Sequence, residues 1–323
     1  MSKHRLIIDT DTAQDDCVAI MMGALSDRAD LLGVTMVAGN VGFDLQVKNA
    51  FMTLNVCGVL HEIPVYLGAT QPLMRPWRSA AEVHGDGGGG LSMDLSDCAP
   101  STEHASDALL RHAYEEKGEL SILAIGPLTN IALALAKDRN FPKLVKNLYI
   151  MGGSNNGRGN ITPNAEYNFY VDPEAARMVF EAGFENIHVV TWDPITLRDA
   201  TINREGYKAL GSDTPLSQFF HAVCDTTMEF NESVGIDGST HPDSITLAAM
   251  LYPEMVLEST GYHVEIETSS ELTRGYASMA WAKYGLTPNA TVVEKMDSDA
   301  YFGLLDSLLK RDIQPSKPIQ GLV

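Results

Sequence analysis

Short apolar runs alternate with longer stretches of helical period along the first two thirds of the chain. Residues 6–8, 31–37 and 64–67 read as strands. Residues 15–26 and 45–60, between them, carry apolar positions at three- and four-residue spacing and read as helices. The rhythm continues with a helix at 105–117, a strand at 120–125, a helix at 128–136 and a strand at 148–151. A helix at 173–182 and a strand at 188–191 follow. Buried strands separated by helices predict βαβ units, hence an α/β fold with an open, mainly parallel, Rossmann-like sheet flanked by helices. Further on, 215–234 and 243–251 read as helical, and 262–267 with 291–295 as an edge hairpin. No repeat or linker interrupts residues 1–323, so a single domain is expected.

Two stretches break the pattern. Residues 68–103 include five glycines between 85 and 90, and 152–170 is rich in Gly and Asn. Loops of this length in a compact domain are commonly functional. In an open parallel sheet, ligands collect beyond the carboxyl ends of the strands. The strand ends here read Asp9-Thr10-Asp11, Gly39-Asn40, Gly126-Pro127-Leu128-Thr129-Asn130 and Met151-Gly152-Gly153. They are distant in sequence, yet the fold class brings them to one edge.

Charge narrows the partners. Asp and Glu number 42 against 23 Lys and Arg, a net charge of −19, which repels nucleic-acid backbones and anionic membranes alike. Neither is an expected partner, whereas small ligands and cations are. The four cysteines are widely spaced and suggest no zinc or redox motif. No run approaches the roughly 18 apolar residues of a membrane span, and the first strand begins too early for a signal peptide. The expected location is cytoplasmic.

The strongest local signal is the acidic run Asp9, Asp11, Asp15 and Asp16. Four carboxylates within eight residues repel unless they share a cation or some keep their protons. A helix N-terminus explains Asp15 and Asp16 through its dipole, but not Asp11 at the strand end. Oxygen ligands without Cys or His point to a hard cation, Ca²⁺ or Mg²⁺. A strand followed by Asp-x-Asp also opens haloacid-dehalogenase-type phosphatases, with Asp9 as nucleophile and Asp11 as acid. Against that reading, Ala13 stands where they place Thr or Val, and no later Lys or acidic motif fits.

Taken together, the motifs resemble those of the inosine–uridine-preferring nucleoside hydrolase family over roughly residues 5–310. The carriers are DTDTAQDD at 9–16, VAGN at 37–40, IGPLTNIALAL at 125–135 and MGG at 151–153. GNITPNAEYNFYVDPEAA at 159–176 and HPDS at 241–244 complete the set. The resemblance implies calcium-dependent hydrolysis of the N-glycosidic bond of ribonucleosides to free base and ribose, in a homodimer or homotetramer serving salvage. It maps the Ca²⁺ ligands to Asp11, Asp16, the Thr129 carbonyl and Asp243, with waters and ribose hydroxyls completing six to eight oxygens. Asp11 is then also the general base toward a water held by the cation. Asp15 and Asn40 hold the 2′- and 3′-hydroxyls, and Asn160, Glu166 and Asn168 hold the sugar from its 5′ side. Asp243 also borders the substrate. The expected transition state is oxocarbenium-like, with no covalent intermediate and an inverted product.

Other positions are ambiguous. His84, in a loop where the family carries His-Gly, is a substrate contact by resemblance or an incidental loop histidine. The glycines after it suggest a loop that closes over substrate. Tyr167 and Met151 line the pocket or belong to the core, and Trp192 is a weaker base-stacking candidate. Asp172 before Pro173 reads as a helix cap. Glu166 and Asn168, two apart on an extended stretch, would face the same side. Cys17 reads as a packed small residue. Many family members read His-Asp-Pro where this chain has His241-Pro242-Asp243. His241 is the candidate leaving-group acid, although the residue directly before Asp243 is a proline. A calcium-dependent nucleoside-binding protein without turnover is the corresponding alternative.

Overall fold

The computed structural model describes residues 3–155 and 157–322. Among these residues eleven strands run β1 His4–Thr10, β2 Ala29–Met36, β3 Val65–Leu67, β4 Leu120–Ala124, β5 Val145–Met151 and β6 Ile187–Val190, then β7 Thr201–Ile202, β8 Ser239–Thr240, β9 Val256–Ile266, β10 Ala277–Ala280 and β11 Ala290–Met296. The helices are α1 Gln14–Leu25, α2 Phe43–Val56, α3 Ala81–His84, α4 Ala105–Glu115, α5 Thr129–Lys137, α6 Phe141–Leu144 and α7 Tyr167–Val171. They continue as α8 Pro173–Glu181, α9 Leu197–Asp199, α10 Arg204–Ala209, α11 Pro215–Ser233, α12 Pro242–Leu251 and α13 Ser298–Leu309.

Nine strands form one sheet in the order β10-β9-β11-β6-β5-β4-β1-β2-β3. Pairing is parallel from β3 to β11 and antiparallel at β11–β9 and β9–β10. The two stretches expected to form an edge hairpin, 262–267 and 291–295, fall on β9 and β11, which do pair, but in another register: 291–295 lies against 258–261, while 263–266 pairs with β10, which forms the edge. The short β7–β8 pair stands apart.

Alternation along β1 sends Leu6 and Ile8 to one apolar layer and Ile7 to the other. The first layer includes α1 and α12, which are apolar almost all round and buried over most of their length. Such helices belong inside a protein, and these two pack on each other. Their N-termini meet, with Asp15 and Asp16 of α1 beside Asp243 of α12.

The chain leaves β1 toward β2 and β3 and returns to place β4 on the other side of β1. This reversal opens a crevice beyond the carboxyl ends of β1, β2 and β4, the usual ligand position in open α/β sheets.

Candidate active site

Asp11 follows β1 and is fully buried. Its Oδ2 accepts the Asn40 backbone N–H at 2.8 Å, while Oδ1 is buried without a partner. Glycines on both sides make room: a Cβ on Gly126 would lie 2.8 Å from Oδ1, and one on Gly39 would fall on Oδ2. Asp16 is held on both oxygens. Thr10 Oγ1 donates to Oδ1 at 2.5 Å, and Ala13 N and Asn40 Nδ2 donate to Oδ2 at 2.9 and 3.3 Å. Asp15 keeps a buried Oδ1 with no partner.

Asp15 and Asp16 occupy the first turn of α1, and Asp243 the first turn of α12 behind Pro242. Ligand oxygens of the three lie within 4.8 Å of one another. Two helix N-termini favour negative charge there, but burial overrides them. It raises Asp15 to about 8 and Asp16 to about 6, with Asp16 adding repulsion at Asp15. Burial and then neighbouring carboxylates push Asp11 and Asp243 well above the ordinary carboxylate range. A cluster of unpaired carboxylates with orphaned buried oxygens and no Lys or Arg partner fits a hard cation.

The next wall is built from amides and a carboxylate. Glu166 caps α7, its Oε1 accepting Asn168 N at 2.7 Å and its Oε2 accepting Gly153 N at 2.9 Å and Phe169 N at 3.2 Å. Burial nevertheless raises it to about 7. Asn168 Nδ2 donates to the Ile125 and Met151 carbonyls at 3.0 and 3.2 Å, leaving its Oδ1 available. Asn160 Oδ1 accepts Tyr167 N at 2.8 Å, leaving Nδ2 as a donor. Asn40, whose Nδ2 is committed to Asp16, likewise keeps its Oδ1.

Glu166, Asn168, Asn160 and Asn40 line a cavity of about 520 Å³ with Asp15, Asp243, Met151, Tyr167 and His84, whereas Asp11 and Asp16 are fully buried and not part of its wall. The lining also includes the apolar Val83, Trp192, Leu197, Phe230 and Ile236. Carboxylates and amides thus share one cavity with apolar side chains, a composition suited to a polyol joined to a flat, less polar group.

The chain matches the family model described as inosine-uridine preferring nucleoside hydrolase over residues 6–303. It belongs to that family. Pyrimidine-specific ribonucleoside hydrolase RihB of Escherichia coli O157:H7 is 32% identical over 318 residues, covering 96% of this chain and 98% of its own. An uncharacterised protein of Schizosaccharomyces pombe is 34% identical over 318 residues, covering 95% and 99%. A plant nucleoside hydrolase structure superposes with a TM-score of 0.87 at 30% identity, covering 95% and 99%. The protein is accordingly an enzyme acting on the N-glycosyl bond of ribonucleosides.

Several expectations for this nucleoside hydrolase need correction. Thr129 opens α5, so its carbonyl points along the helix; its Oγ1 donates to Asp172 at 2.7 Å, and it does not line the cavity. Ile125, just after β4, lines the cavity instead. His241 is fully buried, stacked on Phe220 at 5.5 Å with Phe302 at its edge, and outside the cavity lining. Burial lowers it to about 3, and neither ring nitrogen has a partner. Asn168 lies on a helical turn, not an extended stretch, and meets Glu166 through the cap.

The glycine run does not face the cavity. A Cβ on Gly89 would fall on the Ala222 carbonyl, and Gly87 and Gly88 abut Asn49, so these residues permit close docking of the loop. Asp172 caps α8 through Ala175 N, as its sequence setting predicts. Cys17 is packed in the core. Asp9, the nucleophile of the phosphatase alternative, is fully buried, bonded by Thr35 and Asn130, and absent from the cavity wall.

Proposed function

We propose that this nucleoside hydrolase is calcium-dependent and splits ribonucleosides into free base and ribose, with Asp11 as general base. The observation that carries the reading is the buried, unpartnered Oδ1 of Asp11 beside the clustered carboxylates of Asp15, Asp16 and Asp243. Asp11, Asp16 and Asp243 would hold the ion, with Asp15 contributing and the Ile125 carbonyl replacing that of Thr129 as backbone donor. When bound, Ca²⁺ supplies a fixed charge that acidifies a water and anchors a vicinal diol.

The protein's own groups do the rest. Asp11 Oδ1 takes the proton of the attacking water as it approaches the anomeric carbon. Asn40 and Asp15 orient the 2′- and 3′-hydroxyls, and Asn160, Glu166 and Asn168 receive the 5′ side. The free amide oxygens and the Glu166 carboxylate stabilise the positive charge that develops on the ribosyl ring. Phe230, Trp192 and Ile236 receive the base and exclude water around the breaking bond. The packing of His241 gives no support to a leaving-group role. Cytoplasmic salvage by a homodimer or homotetramer belongs to the same reading. Four free cysteines suit a reducing compartment, and light scattering measures the assembly.

The test is a reducing-sugar assay over purine and pyrimidine ribonucleosides, with the protein as purified, chelated, and resupplied with Ca²⁺. Ribose release that chelation abolishes and Ca²⁺ restores is the expected result, and the ranking of substrates reads out the base. Tight binding without ribose release would select the binding-protein alternative, and orthophosphate release the phosphatase.

A further inference from the structure

Among the described residues, His84 is the one histidine that lines the cavity. Its Nδ1 lies 2.9 Å from Oε1 of Gln14, the first residue of α1. Gln14 is 2% exposed and is not part of the cavity wall, so it reaches the ring from behind. An amide oxygen only accepts, so in this arrangement Nδ1 carries the hydrogen. In a neutral imidazole the second nitrogen is then an acceptor, and among the described residues His84 Nε2 makes no hydrogen bond.

The ring is kept in this pose by its loop. Ala80 N donates to the Asn40 carbonyl at 2.7 Å before α3, and Asn49 Nδ2 donates to the Asp86 carbonyl at 3.0 Å after it. The same Asn40 borders the carboxylate cluster, which ties the histidine to the sugar end of the site.

We propose that Gln14 is a positioning residue that fixes His84 as the Nδ1–H tautomer, so that Nε2 offers its lone pair to an O–H or N–H of the ribonucleoside. The ligand side of this inference rests on the function proposed above; the tautomer does not. In this role His84 binds substrate as an acceptor. Gln14 acts only through it.

The test begins with the wild-type protein labelled with ¹⁵N-histidine, the His84 signals being assigned by their loss in His84→Ala. A protonated Nδ1 and a pyridine-like Nε2 are expected. Gln14→Met, similar in length but without an acceptor, should shift the ring toward the Nε2–H form. In the assay it should raise KM roughly five- to tenfold with kcat within about twofold, the effect of one neutral hydrogen bond. Added to His84→Ala, it should raise KM no further, because both changes remove the same interaction. An Nε2–H tautomer in the wild type would overturn the proposal, since the amide would then present its nitrogen to the ring. Additive effects of the two substitutions would also overturn it and leave Gln14 as a packing residue. Should Gln14→Met fail to fold, the wild-type spectrum still decides the tautomer. Should no ribonucleoside be cleaved, the function fails while the spectrum continues to report on Gln14.

Discussion

Asp11 owes its position to what its neighbours lack. With Gly39 and Gly126 on either side, its carboxylate occupies space that any Cβ would take. Gly39→Ala should therefore displace Asp11 and abolish ribose release and calcium binding together, as calorimetric titration would register. Asp11→Asn keeps the shape and removes the base. We expect kcat to fall at least about a hundredfold, the lower end for a general base, with the melting temperature retained. His241→Phe removes two unpartnered buried nitrogens from an aromatic stack, so stability should hold or rise by about 1 kcal/mol. Its kcat should stay close to wild type; a large loss would return the histidine to the chemistry. The acidic run, Asn40 and Glu166 were legible because their chemistry is unusual at strand ends and turns. Ile125 was not, since a backbone carbonyl leaves no mark in its residue's identity and its direction depends on where β4 stops and α5 begins.

At the scale of elements, strands buried on both faces announce themselves as apolar runs, and β1 to β6 were all readable. Ala277–Ala280 was not, because four small or flexible residues become a strand only by pairing with β9. Nor was α7, a five-residue turn that depends on the Glu166 cap more than on its own period. The loop carrying Val83 and His84 depends on glycines in a comparable way. Gly89 has φ +61° and no room for a side chain against α11. Gly89→Ala should destabilise the protein by roughly 1–3 kcal/mol through strain and clash. It should also raise KM by loosening one cavity wall, which denaturant melts and steady-state kinetics would separate.

The whole molecule carries its buried acids as a pH dependence. Asp9 at about 7, Asp15 at about 8 and Glu166 at about 7 all exceed their unfolded values. Histidines held below their ordinary value by burial, His84 at about 4 and His241 at about 3, oppose this below about pH 6.5. From about pH 6.5 to pH 8 the native state thus binds protons that the unfolded chain has released, so raising pH lowers stability. Chelated protein should melt at progressively lower temperature from about pH 6.5 to pH 8. Added Ca²⁺ should recover more of the loss at the higher pH, where it no longer competes with protons. A flat melting profile in chelator would refute this.

The meeting of α1 and α12 has a mechanical side. Asp16 and Asp243 stand 227 residues apart in a chain of 323, so an ion held between them works as a removable clasp on a loop covering most of the polypeptide. Closing a loop of that length restricts the unfolded chain strongly, as a long-range crosslink does. A protease should therefore cut the chelated protein early around α12 and its flanking turns and spare the loaded one. Such cleavage would disconnect Asp243 from the other carboxylates of the site, together with the segment that carries β9, β10 and β11.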